Sequence, residues 1–338
     1  MARRIASARA RRARALAVLA VLAAATLVPT APASASGPDL TVPRADLEAA
    51  FKCPIDPANA TTTPVMFVTG TGATGDQGYL IGQQAFEASG HPVCYMNFPD
   101  STTADIQVSV EYLVYGLRKE FQLAGRKVAV IGISQGGLLP RFALTYWPDL
   151  RRKVGDVVAA AGTQHGTTVS RGCSAENPCP PANWQQLAGS NLLDAINSQP
   201  DETPGPVSYT TVRSLTDQTV QPQDGKHPTS ALSGASNILI QDVCPGRQTT
   251  HIGTAVDSVT FEAFLDAMAH SGKEKRGAAK VSRLPANVCD HPYATGLDEA
   301  QTNLFLSASD AIVGANQDSA PKVPAEPPVR KVFRRPAD

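Results

Sequence analysis

The sequence predicts an α/β fold, a mostly parallel central sheet with helices on both faces. Three observations carry this. Short β-prone runs recur through the middle of the chain, segments of helical period fall between them, and strand and helix so alternate. That alternation argues for a mostly parallel sheet covered on both faces.

The runs are 63–70, 91–98, 127–133, 154–162, 207–215 and 237–243. The clearest helix is 104–124, where Ile106, Val110, Leu113, Val114, Leu117 and Phe121 share one face. Ser101 to Thr103 offer caps, and Gly125 supplies the stop. Further helices are expected at 182–198, 256–270 and 298–314, with another helical segment directly after 127–133.

Residues 1–14 hold six arginines and no acid, 15–28 are nearly all apolar, and Ala33-Ser34-Ala35 follows. This is the pattern of a signal peptide over 1–35. The apolar run is shorter than the roughly 20 residues a bilayer span needs, which argues against an anchor and leaves no transmembrane segment in the mature chain. No cysteine at the cleavage point suggests a lipoprotein. The expectation is a free secreted protein from about Ser36, with a catalytic domain at 36–316 and a Pro-rich basic tail at 317–338. That tail reads as a flexible terminus or a surface strap.

The chain has 30 basic and 30 acidic residues. Removing the leader's six arginines leaves 24 basic residues against 30 acids, so nucleic-acid binding loses its electrostatic basis. Six cysteines, Cys53, Cys94, Cys173, Cys179, Cys244 and Cys289, fall in the exported part. An even number in an oxidising compartment implies disulfides, with fifteen connectivities open. Zinc is the weaker reading, because the close pair Cys173 and Cys179 lacks partners at ligand spacing.

Chemistry enters at Gly132-Ile133-Ser134-Gln135-Gly136, between an expected strand and an expected helix. In that setting G-x-S-x-G forms a tight turn whose glycines avoid the neighbouring backbone and whose serine is presented as a nucleophile. The bland alternative is a Gly-rich turn with an incidental serine. A nucleophilic serine needs a base and an orienting acid, which in this fold follow in the order acid, then histidine. His91 precedes the serine, and His165 follows it too soon. His227 lies in a polar turn, His270 at a helix end and His291 beside Cys289. His251, in a loop after 237–243, is best placed, although position alone does not separate it from an ordinary loop histidine. Asp217 closes 207–215 and is the candidate acid, with Asp224 and Asp242 in reserve; a turn cap is its other reading. The loop "VTGTGATG" (68–75) has backbone N–H groups suited to an oxyanion hole together with that of Gln135. It lacks the spacing of a phosphate-binding loop.

The segments "TGTGATG", "DIQVSVEYLVYGL", "SQGGLLPRFALTYWPDLRRKV", "NWQQLAGSNL", "SLTDQTVQPQ" and "DAIVGAN" resemble, in the same order, those of the fungal lipase B (CALB-type) group of α/β hydrolases. The similarity covers most of residues 50–316. It implies an α/β-hydrolase fold and a lipase or carboxylesterase. It casts Ser134 as nucleophile, Asp217 as acid, His251 as base, and Thr71 and Gln135 as oxyanion donors. Ile133, Gln186, Thr219 and Ile312 become pocket residues. The resemblance also pairs Cys53 with Cys94 and Cys244 with Cys289, while the family's C-terminal bridge has no counterpart here.

Three departures stand out. "SRGCSAENPCPPAN" replaces a short apolar lid-like segment and is expected to be stapled by Cys173 and Cys179, leaving the site open without an oil interface. Thr163 stands where the family has an acid, and His165 gives that stretch the look of bacterial lipases. Ile133 stands where the fungal relatives carry tryptophan, which should leave room beside the serine.

The expected activity is secreted triacylglycerol hydrolysis through an acyl-enzyme, by a monomer acting on an ester or lipid substrate at a lipid–water interface. It needs no metal and no organic cofactor. A short-chain carboxylesterase or polyester hydrolase is the alternative. From another class comes a secreted lipid-binding protein on an inactive hydrolase scaffold.

Overall fold

The computed structural model describes residues 36–334 apart from 59, 170, 171 and 272–276; the expected signal peptide at 1–35 lies outside the described residues. Among these, seven strands form one sheet: β1 Phe51–Lys52, β2 Val65–Val68, β3 Val93–Met96, β4 Val128–Ile133, β5 Val154–Ala160, β6 Ser208–Arg213 and β7 Ser236–Leu239. The order is β1-β3-β2-β4-β5-β6-β7; β1 pairs antiparallel with β3, and every other pairing is parallel.

The helices are α1 Arg44–Ala50, α2 Gly75–Ser89, α3 Pro99–Thr102, α4 Ile106–Ala124, α5 Gln135–Tyr146, α6 Pro181–Gln185, α7 Asn191–Asn197, α8 Ile240–Val243, α9 Ser258–Ala269 and α10 Glu299–Ser319. Alternation along β4 shows why its run is wholly apolar. Val128 and Val130 enter the core layer with Leu113, Leu117, Leu138 and Phe142 of α4 and α5, whereas Ala129 and Ile131 meet Phe86, Phe261 and Phe264 of α2 and α9 on the other face.

All six expected strands are present, and the α/β-hydrolase arrangement is the one the sequence predicts. Two expectations are corrected. The single helix expected at 182–198 is two helices, α6 and α7, because Gly189 takes φ +80° and Ser190 caps α7 by accepting from the Leu193 N–H. The strand expected to run to residue 243 ends at Leu239, where the chain turns into α8.

The boundary expected at 317 falls inside α10, which ends at Ser319. Beyond it the chain straps onto the body as far as residue 334. Val323 bridges to Cys179, and the Glu326 carboxylate accepts from the N–H groups of Asn191 and Leu192 at the start of α7. Arg330 pairs with Glu111 at 2.5 Å. Phe333, 1% exposed, sets its ring 4.9, 5.0 and 5.6 Å from those of Phe142, Tyr146 and Trp147.

Candidate active site

β4 runs into α5 through Ser134, whose backbone takes φ 59° and ψ −123°. Such a conformation costs a non-glycine residue about 1–3 kcal/mol and persists only where its surroundings enforce it. The enforcing contacts are close. A β-carbon on Gly132 would stand 2.0 Å from the Gly136 carbonyl oxygen, and one on Gly136 would stand 2.2 Å from that of Val68. The Ser134 N–H donates to the Ala160 carbonyl at 2.9 Å, so the turn leaves the sheet while still bonded to it.

After β6, a loop held by its own side chains carries Asp217. Its Oδ1 accepts from the N–H groups of Thr219 and Val220, both at 2.8 Å, and its Oδ2 lies 2.8 Å from His251 Nδ1. The acid and histidine loops are laced together through Thr216, whose hydroxyl donates to the Thr249 carbonyl and accepts from the Thr249 N–H. The His251 N–H donates to Gln218 Oε1 at 3.0 Å. The Cys244–Cys289 bridge and the Arg247 guanidinium, which reaches Asp257 and the carbonyls of Cys289, His291 and Pro292, brace the base of the His251 loop. Asp217 is 2%, His251 6% and Ser134 7% exposed.

The loop after β2 carries Thr71. It is pinned by Gly72 N–H to Ser101, by the Thr102 hydroxyl to Ala73 and by Asn316 to the Gly72 carbonyl. Cys53–Cys94 ties the neighbouring strands β1 and β3. As the first residue of α5, Gln135 has a backbone N–H without an intrahelical acceptor. A buried chain of side chains runs behind this corner. Thr163 Oγ1 donates to Gln186 Oε1 at 3.1 Å, Gln186 Nε2 donates to Thr71 Oγ1 at 2.8 Å, and the Thr71 hydroxyl donates to Gln135 Oε1 at 2.7 Å.

Ser134, His251 and Thr71 line one cavity of about 600 Å³, and Ile133, Gln186, Thr219 and Ile312 line it too. The structure therefore gathers the expected site residues around one space, with Asp217 and Gln135 immediately behind its wall. His165, the rival base, faces elsewhere: Nε2 meets Glu202 Oε1 at 2.9 Å and Nδ1 meets the Thr229 carbonyl. That contact with His165, aided by the Ser233 N–H and by Arg141, holds the Glu202 carboxyl at about 2, below an ordinary 4.5. The third bridge, Cys173–Cys179, staples the loop at the cavity's edge, so the zinc reading of that pair gives way to a disulfide. Among the described residues, no group of three His, Cys, Asp or Glu is placed to hold a metal ion. The roles of Gln218 and Thr163 went unread in the sequence. Gln218 had the signal of adjoining the acid, whereas Thr163 was marked only as standing where the family has an acid, and its bond to Gln186, 23 residues away, had no local signal.

No protein-family model matches the chain. It is 30% identical over 263 residues to lipase B of Pseudozyma antarctica, covering 75% of this chain and 77% of that protein. The crystal structure of Aspergillus fumigatus lipase B superposes with a TM-score of 0.81 at 27% identity, covering 90% of this chain and 74% of that one. Strand order, elbow and these likenesses together define an α/β hydrolase of the serine carboxylic-ester-hydrolase class. Within that class, the chain belongs to the lipase B family.

Proposed function

We propose that the protein is a secreted triacylglycerol lipase that works through Ser134, His251 and Asp217. The observation that carries this reading is the 2.8 Å contact of His251 Nδ1 with Asp217, at a cavity that the Ser134 elbow also lines. With Nδ1–H donated to the carboxylate, Nε2 keeps its lone pair for the proton of Ser134 Oγ. Oγ then attacks the ester carbonyl, and the developing oxyanion takes the N–H groups of Thr71 and Gln135. The imidazolium returns its proton to the leaving alcohol, and water repeats the sequence on the acyl-enzyme. No step calls on a metal or an organic cofactor.

Leu80, Val169 and Ile312 are exposed and line the same cavity, so the rim offers apolar surface to a lipid phase. The three disulfides fit an oxidising, extracellular location. The polar loop stapled by Cys173 and Cys179 favours a second reading, a short-chain carboxylesterase acting on dissolved esters. Rates on emulsified triacylglycerols beside rates on soluble p-nitrophenyl esters decide between them. Turnover of the emulsion supports the lipase, turnover of the soluble esters alone supports the esterase, and failure on both returns the chain to a lipid-binding role.

A further inference from the structure

Asp217 and His251 stand on two loops that lie beyond the sheet. The pairing of β6 with β7 ends at Arg213 and Leu239, before either residue is reached. Past that point three side chains take the ladder's place. Gln241 accepts from the Leu215 N–H at 3.0 Å and donates to the Arg247 carbonyl at 2.9 Å. Thr216 accepts from the Thr249 N–H at 3.0 Å and donates to the Thr249 carbonyl at 2.8 Å. Gln218 accepts from the His251 N–H at 3.0 Å. From Thr216 and Thr249 to Gln218 and His251 the contacts advance by two residues on both loops, which is the step of a strand ladder.

The last of these contacts falls on the candidate base itself. Asp217 takes its ring at Nδ1, and the next residue takes its main chain. An imidazole held through one ring nitrogen still pivots about that contact whenever its backbone shifts. Holding the N–H as well fixes where the Cα stands, and with it how far Nε2 reaches toward Ser134. No backbone carbonyl among the described residues accepts from the His251 N–H, so the Gln218 oxygen is its acceptor. Thr250, between the two rungs, bonds forward along its own loop, its hydroxyl accepting from the Gly253 N–H and its carbonyl from the Thr254 N–H. Gln218 is exposed, so its side chain adds little to the core, and the hydrogen bond is what it contributes here.

We propose that Gln218 is a positioning residue for the general base: its side-chain carbonyl holds the His251 main chain so that the imidazole Nε2 meets Ser134 Oγ. This rests on the reading of Ser134, His251 and Asp217 as the catalytic groups. The acceptor oxygen is the working part of the side chain. A residue of the same length without that oxygen leaves the His251 N–H to water, and a carboxylate at the same reach restores the bond.

Gln218→Met keeps the length and removes the acceptor, whereas Gln218→Glu keeps an acceptor. On p-nitrophenyl butyrate, Gln218→Met lowers kcat about tenfold, the scale of one net neutral hydrogen bond, and leaves KM unchanged. Gln218→Glu recovers most of the wild-type kcat. A methionine variant with full kcat per folded molecule overturns the proposal, whatever its urea midpoint, because the contact would then serve the fold alone. A glutamate variant as slow as the methionine one, or a loss that appears in KM instead of kcat, overturns it too. Failure of the catalytic reading looks different, since wild type then turns over no ester. Amide hydrogen exchange at His251 decides in that case. Faster exchange in Gln218→Met with wild-type protection in Gln218→Glu upholds Gln218 as the residue that places His251, and equal exchange in all three proteins overturns it.

Discussion

His251 turns Nδ1 to Asp217 Oδ2 at 2.8 Å, while the other oxygen of that carboxylate is held by two backbone N–H groups. The acid is fixed first and the imidazole is oriented by it. Asp217→Asn should keep the fold but offer His251 an N–H where it had an acceptor, forcing the wrong tautomer. The expected loss in kcat is about 10⁴-fold with little change in KM. His165→Ala, by contrast, should leave kcat near wild type, since His165 faces Glu202. Steady-state kinetics on p-nitrophenyl butyrate measure both; the reverse pattern would exchange the two histidines' roles.

Thr163 should act on the oxyanion hole at one remove, because its hydroxyl fixes which end of the Gln186 amide faces Thr71. Thr163→Val is expected to lower kcat by about tenfold, the scale of one net neutral hydrogen bond, with KM unchanged. Thr163→Ser should restore the rate. A valine variant with full kcat would show that Gln186 is held without this contact.

Glu202 supplies a pH-dependent contribution to stability. Its carboxyl is held at about 2, mainly by the His165 hydrogen bond, so the contribution is complete above the ordinary carboxylate range and lost as pH falls toward 2. Urea midpoints of wild type and Glu202→Gln should differ at pH 6 and converge between about pH 5 and pH 2. A difference that stays constant through that window would remove Glu202 from the account.

The strap should matter for stability and not for chemistry. Phe333 is buried among three aromatic rings, and Phe333→Ala is expected to cost about 3–5 kcal/mol in urea unfolding. Activity per folded molecule should hold. If kcat fell in parallel with stability, the strap would be shaping the pocket through its bridge to Cys179.

β2, β3 and β4 were legible because they are buried on both faces and read as apolar runs, whereas β6 and β7 carry polar residues and were legible only as β-prone runs between helical segments. α2 was not read, since Gly75, Gly78 and Gly82 weaken its helical signal. Those glycines answer to packing instead: a β-carbon at Gly75 would meet the Met96 carbonyl at 2.4 Å, and one at Gly78 the Thr69 hydroxyl at 2.3 Å. The Thr74–Gln77 capping box was the sequence signal that marked its start. β1 is two residues long and has no pattern to read. In the site, the elbow was visible because its glycines are local to Ser134. His251 needed the family resemblance, for nothing local distinguishes it. The chain from Thr163 through Gln186 to Thr71 joins residues 23 and 115 positions apart, a spacing that only the fold brings together.

The central claim is that Ser134 is the nucleophile, and covalent labelling tests it most directly. Purified protein treated with a fluorophosphonate should gain one adduct per chain, mapped by peptide mass spectrometry to Ser134, with ester hydrolysis falling in proportion to labelling. Ser134→Ala should take up no label and hydrolyse no ester above background. An adduct on another residue, or hydrolysis surviving in Ser134→Ala, would contradict the account.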